Sequence, residues 1–168
     1  MSRYNELLKE LEGFVRSARG TDSLMEFIAR RLHEVMARYN WVGFYLMDDS
    51  TPKALVLGPY VGSFAPYTRI TLDRGLCGAA ATSGRTVVVN DVKTDPRYIG
   101  GEMVKSTMVV PILIKSQVVA ELDIESYFTG TFTKTDQDFV ESCAALVGRF
   151  MEQHAAVGTH HSAPKQSH

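Results

Sequence analysis

Two apolar runs, Thr107 to Ile114 and Val118 to Ile124, flank the short link Lys115-Ser-Gln117, and no other feature constrains the fold as tightly. A link this short can only reverse the chain, so the two runs pair as an antiparallel hairpin. Alternation along the second run places Val119, Glu121, Asp123 and Glu125 on one face of the sheet, with Leu122 and Ile124 on the other. Burying three same-face carboxylates against packed helices would be costly. That face therefore looks either into a polar cavity or out to solvent.

The rest of the chain supplies the layers around this hairpin. Tyr4, Leu7, Leu8, Leu11, Phe14 and Val15 recur at helical spacing, and Gly20 reads as the stop. A second helix is expected to start at the capping box Ser23-x-x-Glu26 and to carry a stripe from Leu24 to Tyr39, with Asn40 as its stop. Trp41 to Met47 and Lys53 to Tyr60 read as a hairpin around the turn Asp48 to Pro52. Tyr67 to Leu72 and Arg85 to Asn90 read as shorter strands on either side of a small-residue helix, Gly75 to Gly84. Asp91 to Lys105 is a long irregular segment of the kind that covers sites. A last helix starts at Phe132-Thr-Lys-Thr-Asp136, with Phe139, Cys143, Leu146, Val147 and Phe150 as its buried stripe.

These elements predict one α+β domain over residues 1–154 and a flexible polar tail over 155–168. Its central antiparallel sheet has about six strands. Two N-terminal helices and the C-terminal helix cover one face, and a loop-covered pocket lies on the other. The pocket is expected to be closed by residues of roughly 61–67, 76–82 and 95–108.

Charge and composition exclude several classes of function. The formal net charge is −1 and the basic residues are scattered, which argues against nucleic acid as a partner. No run of about 20 apolar residues suggests a membrane span, and no apolar signal segment precedes the first helix. Two cysteines, Cys77 and Cys143, are too few for a disulfide framework, so a reduced, cytoplasmic protein is expected. No phosphate-binding glycine loop occurs, and the histidines (His33, His154, His160, His161, His168) lack metal-site spacing. No metal or other cofactor is expected, and no catalytic residue is assigned.

The element order resembles the GAF domain. The resemblance is carried by Asn40-Trp-Val-Gly-Phe-Tyr-Leu46, Gly75-Leu-Cys-Gly-Ala-Ala80, Asn90-Asp-Val92, Val110-Pro-Ile112, Glu121-Leu-Asp-Ile-Glu125 and Phe132-Thr-Lys-Thr-Asp136. It covers roughly residues 4–152. Within that family the chain is similar to the free methionine-(R)-sulfoxide reductases, whose Leu-Val-Leu-Gly-Pro run is present as Leu55 to Pro59. The family's pattern implies three cysteines, and these fall on about Tyr67, on Cys77, and on Gly100 or Gly101. The loop cysteine credited with the attack on the sulfoxide is therefore missing, and a family carboxylate is replaced by Thr107. The expected function is accordingly a small-molecule sensor that signals through a partner protein, for example a histidine kinase, and dimerises with itself. The alternative is a reductase-like thiol enzyme.

Ligand-binding candidates follow from the two faces of the sheet. Trp41 and Tyr45 share a face with Gly43, which leaves room for a ligand, although sheet core serves equally well for both. Asp123 and Glu125 would favour an amine-bearing ligand such as an amino acid. Trp41, Phe64-Ala65 and Tyr98-Ile99 resemble the set that nitrate-sensing GAF proteins use, which would suit a small anion instead. Cys77, near a helix start where the dipole lowers a thiol's pKa, reads either as a redox-sensing residue or as a small buried one.

Overall fold

The computed structural model describes residues 2–64 and 66–159, the last four of them as backbone only. Helices α1 (Arg3–Val15) and α2 (Thr21–Val35) come first, followed by strands β1 (Trp41–Asp48), β2 (Ala54–Gly62) and β3 (Arg69–Thr71). Helix α3 (Gly75–Ser83), strand β4 (Val87–Val89), a single 3-10 turn (Val92–Thr94), strands β5 (Ser106–Ile114) and β6 (Gln117–Ser126), and helix α4 (Lys134–Thr159) complete the chain. The strands form one six-stranded sheet in the order β3-β2-β1-β6-β5-β4, with every neighbouring pair antiparallel.

The β5–β6 hairpin turns on two residues. Lys115 and Ser116 have φ of 50° and 66°, and Gln117 already pairs with Ile114. Two consecutive left-handed residues match the right-handed twist of the flanking strands. β6 also pairs with β1, with Gly43 opposite Asp123 and Tyr45 opposite Glu121. The carboxylate-bearing strand therefore lies in the middle of the sheet.

Strand periodicity sorts the side chains into two clusters. Val42 and Phe44 of β1, Met108, Val110 and Ile112 of β5, and Leu122 and Ile124 of β6 pack against Leu11, Leu24, Ile28, Leu32, Phe139, Cys143, Val147 and Phe150 of α1, α2 and α4. Each such side chain contributes about 1.5–3 kcal/mol on burial, so this larger cluster carries most of the stability. Asp136 joins its layers: it accepts hydrogen bonds from Tyr39 Oη at 2.5 Å, Tyr4 Oη at 3.2 Å and Thr133 Oγ1 at 2.7 Å. Asp136 N in turn donates to Thr133 Oγ1 at 3.2 Å, a reciprocal cap on the start of α4.

The opposite face is covered by α3 and by the segment after β4. Trp41, Tyr45, Leu55, Ile70, Leu76, Cys77, Ala80 and Val109 form the second cluster there. At Gly78 an added Cβ would stand 2.6 Å from the Leu72 carbonyl oxygen, so only glycine lets α3 lie this close to the chain leading into it.

Four helix boundaries differ from the sequence expectation: α2 ends at Val35, short of Asn40, α4 runs on to Thr159, so that 155–159 of the expected tail are helical, and two more follow. α2 starts at Thr21 with Gly20 as its N-cap, and Leu24 N donates to Gly20 O, so Ser23 and Glu26 lie inside the helix and form no cap. α1 ends at Val15, before Gly20. Residues 160–168 of the expected tail lie outside the described residues.

Candidate functional site

A cavity of about 320 Å³ opens on the face of the sheet away from α1, α2 and α4. Trp41 and Tyr45 of β1, Thr107 and Val109 of β5, and Asp123 and Glu125 of β6 line it from the sheet. Arg74 to Cys77, at the start of α3, line one side. Phe64, Pro66, Tyr67, Ile70 and the run Tyr98 to Gly101 complete the lining. Of the residues read from the sequence as ligand-binding, Trp41, Tyr45, Phe64, Cys77, Tyr98, Ile99, Asp123 and Glu125 all line this one cavity. Ala65 lies outside the described residues. Arg74, Tyr67, Thr107 and Val109 join them without having been singled out as ligand contacts.

Trp41 is 1% exposed and stacks on Tyr60 and Phe64, with ring centroids 5.6 and 5.5 Å away. It is registered opposite Gly62, and its ring fills the space that a side chain there would take. Its indole N–H is buried and has no acceptor among the described residues. A buried donor without a partner costs about 1–3 kcal/mol, a cost that a ligand acceptor would remove. Gly43 leaves room for the same ring, since a Cβ there would run into its edge and come within 2.8 Å of Tyr60 Cβ. Gly43→Ala is therefore expected to cost about 1–3 kcal/mol and to shift the emission of Trp41. Denaturant unfolding followed by tryptophan fluorescence checks this, and an unchanged midpoint would mean that the ring moves freely.

Asp123 is 4% exposed. Its Oδ1 accepts from Thr107 Oγ1 at 3.4 Å, and its Oδ2 faces Cys77 Sγ at 3.7 Å. Burial pushes its pKa up to about 7, while the contacts from Cys77 and Thr107 act to lower it. Glu125, partly exposed at the cavity wall, is raised well above the usual carboxylate range by burial and then by the charge of Asp123. Glu121, one pleat along β6, is fully buried, and neither carboxyl oxygen has a hydrogen-bond partner. Burial first, then Asp123, raises it far above its ordinary value. The sequence left this face open between cavity and solvent; the structure buries Glu121 and Asp123 and lines the cavity with Asp123 and Glu125.

Cys77 is 8% exposed and is the third residue of α3. The helix start would lower its pKa, yet desolvation, followed by Asp123, Glu121 and Glu125, drives it well above the ordinary thiol value. Of the two readings of Cys77, the dipole-activated thiol is overridden by its surroundings, because the thiolate would be buried among carboxylates. Cys143 is fully buried in the helix-side cluster, across the sheet from Cys77. Both cysteines are free. Tyr45 Oη donates to Tyr67 O at 2.9 Å, and burial raises the phenol's pKa out of the physiological range. Among the described residues no group of His, Cys, Asp and Glu side chains forms a metal site. No described helix is long and apolar enough to cross a membrane.

A curled six-stranded antiparallel sheet with terminal helices on one face and a small-molecule-sized cavity on the other defines an α+β ligand-pocket domain, and the chain belongs to the GAF domain family, whose sequence model matches residues 18–152. It is 32% identical to the free methionine-R-sulfoxide reductase of Escherichia coli over 149 residues, 88% of this chain and 84% of that one. GAF domain-containing protein A of Dictyostelium discoideum is 31% identical over 146 residues, covering 86% and 90% of the two chains. The crystal structure of free methionine-R-sulfoxide reductase from Neisseria meningitidis in complex with its substrate superposes with a TM-score of 0.86 at 32% identity, covering 92% of this chain and 91% of that one.

Proposed function

We propose that the cavity binds a free amino acid or a close derivative, methionine and its (R)-sulfoxide being the first candidates, and that the domain acts as a sensor rather than a reductase. The observation that carries this reading is the pair of carboxyls, Asp123 and Glu125, lining a cavity with no cationic side chain paired to either among the described residues. An ammonium group would supply the missing charge through charge-assisted hydrogen bonds. Arg74 and the first turn of α3 line the same cavity and suit the carboxylate of a zwitterion. The unpartnered Trp41 N–H is a donor for an oxygen on the ligand. A bare anion such as nitrate would stand beside two carboxyls and is the weaker ligand. The relatives named as methionine-sulfoxide reductases support an amino-acid-sized ligand. The sensing role, a homodimer through the terminal helices, a partner such as a histidine kinase and a cytoplasmic location remain parts of the same proposal.

Trp41 is the only tryptophan, so its emission reports on the cavity directly. Titration with L-methionine, both epimers of its sulfoxide, other amino acids and nitrate is expected to give a saturable change with an amino acid and none with nitrate. Asp123→Asn is expected to weaken that binding about ten- to a hundredfold, the loss of one charge-assisted hydrogen bond. Saturation by nitrate with no response to any amino acid would overturn the assignment.

A further inference from the structure

We propose that the cavity exchanges protons for its ligand: an ammonium entering against Asp123 and Glu125 drives a proton from that pair into solvent, so that occupancy rises with pH. This rests on the amine-binding reading above.

The geometry that forces the exchange is the run of carboxyls along β6. Glu121, Asp123 and Glu125 occupy alternate positions on one face of a central strand, about 7 Å from one to the next. Apart from Arg74, the groups facing them from every packed element are neutral or already engaged. β1 contributes Tyr45, whose hydroxyl is donated to Tyr67 O. β5 contributes Thr107, bonded to Asp123, and α3 contributes Cys77, a thiol held protonated. The loop contributes Tyr98, whose hydroxyl donates to Gly101 O at 3.3 Å. Among the described residues Arg74 is the one cation lining the cavity; its guanidinium sits over the Tyr67 ring, 6.0 Å from the centroid, and forms no salt bridge with any of them. A buried carboxyl with no cation beside it neutralises itself by keeping its proton. Glu121 shows the same behaviour, through burial first and then Asp123. Both its oxygens are buried and unpartnered, a state that only the protonated acid tolerates.

The charge balance follows. In the unliganded cavity burial holds protons on these carboxyls, and Asp123, pushed up to about 7, ionises within the physiological range. The ammonium brings one positive charge, the Asp123–Glu125 pair gains one negative charge to meet it, and one proton leaves to the bulk. Glu121, which does not line the cavity, keeps its proton throughout. Linkage then requires affinity to rise with pH, by up to about tenfold per pH unit for each proton released. The rise ends as Asp123 ionises in the unliganded cavity, near pH 7.

Isothermal titration calorimetry of the full chain with L-methionine and L-methionine (R)-sulfoxide, from pH 5.5 to 8 in two buffers of different ionisation heat, tests this. The expected result is an affinity that climbs three- to tenfold per unit below pH 7, with between half a proton and one proton released per ligand bound, in the range that one coupled carboxyl pair can supply. In Asp123→Asn the proton release should fall and the residual affinity should become flat with pH. Glu125→Gln should reduce both if Asp123→Asn does not fold. Binding with no proton release and no pH dependence would overturn the exchange while leaving the amine site standing. Equal binding of the deaminated analogue of methionine would overturn both, as would the absence of heat and of any Trp41 response with every amino acid.

Discussion

Between pH 5 and pH 8 the ligand-free protein will become less stable as the pH rises, with a fall in Tm of about 10 °C. Most small domains change little over this range; here the sign is set by three carboxyls whose folded-state pKa values are raised. A group raised on folding stabilises the native state fully below its unfolded pKa, and that contribution is lost as the pH climbs through the folded value. For Asp123 the loss begins near 3.8 and ends near 7. At about 1.4 kcal/mol per pH unit, Asp123 alone removes about 2 kcal/mol between pH 5 and 7. Glu121 and Glu125, raised in the same direction by burial and by Asp123, add to the loss. Asp48 and Asp95, lowered by Arg69 and Arg97, act in the opposite sense, but only as the pH falls below the ordinary carboxylate range. They leave the window untouched. Glu121→Leu removes a buried, unpartnered acid and should raise stability at pH 8 by about 1–3 kcal/mol while reducing the pH slope. Thermal unfolding at half-unit pH steps measures all of this. A Tm that stays level or rises from pH 5 to 8 would show that these carboxyls are solvated or paired in solution.

The pattern behind that prediction was visible in the chain, and its consequence was not. Strand periodicity is short-range and regular, so it correctly separated Val42 and Phe44 from Trp41 and Tyr45, and it set Glu121, Asp123 and Glu125 on one face. Whether that face met water or a cavity depended on where α3 and the segment Tyr98 to Gly101 fold back. That choice is made by contacts between residues far apart in sequence, such as Cys77 with Asp123. Arg74 gave no local signal, because an arginine before a short helix looks like any surface cation; only the approach of α3 to the sheet brings it to the cavity. The capping box at Ser23 misled for a related reason. The signal is four residues long, and the first turn of α2 is fixed three residues earlier, with Gly20 rather than Ser23 as the cap. Cys77 shows the same limit in energetic form. Its place at a helix start is legible, but the burial and the acids that outweigh the dipole are not.

Purified protein supplied with L-methionine (R)-sulfoxide and a dithiol is expected to form no methionine above the uncatalysed rate. Reduction requires a thiolate to attack the sulfoxide sulfur, leaving a sulfenic acid, and a second thiol to release that oxidised form as a disulfide. An ordinary cysteine is only a few per cent thiolate at pH 7, and Cys77 is pushed further toward the thiol by burial and by Asp123, Glu121 and Glu125. Cys143, the chain's other thiol, cannot reach it from its buried place on the other side of the sheet. The expected outcome is binding without turnover, with Cys77 unmodified by mass spectrometry after incubation. Turnover that disappears in Cys77→Ser would overturn this and establish a one-cysteine enzyme that relies on an external reductant. The same cavity offers the converse experiment. The resemblance places the missing nucleophile at Gly100 or Gly101, and only one of those positions has room for it. A Cβ at Gly100 would collide with the Tyr98 hydroxyl, whereas at Gly101 nothing stands within 4 Å, and that residue lines the cavity. Gly101→Cys is therefore the substitution expected to introduce sulfoxide-dependent oxidation of a thiol. Methionine formation by that variant, with none by the unaltered protein, would show that the cavity already orients a sulfoxide and lacks only the thiol that attacks it.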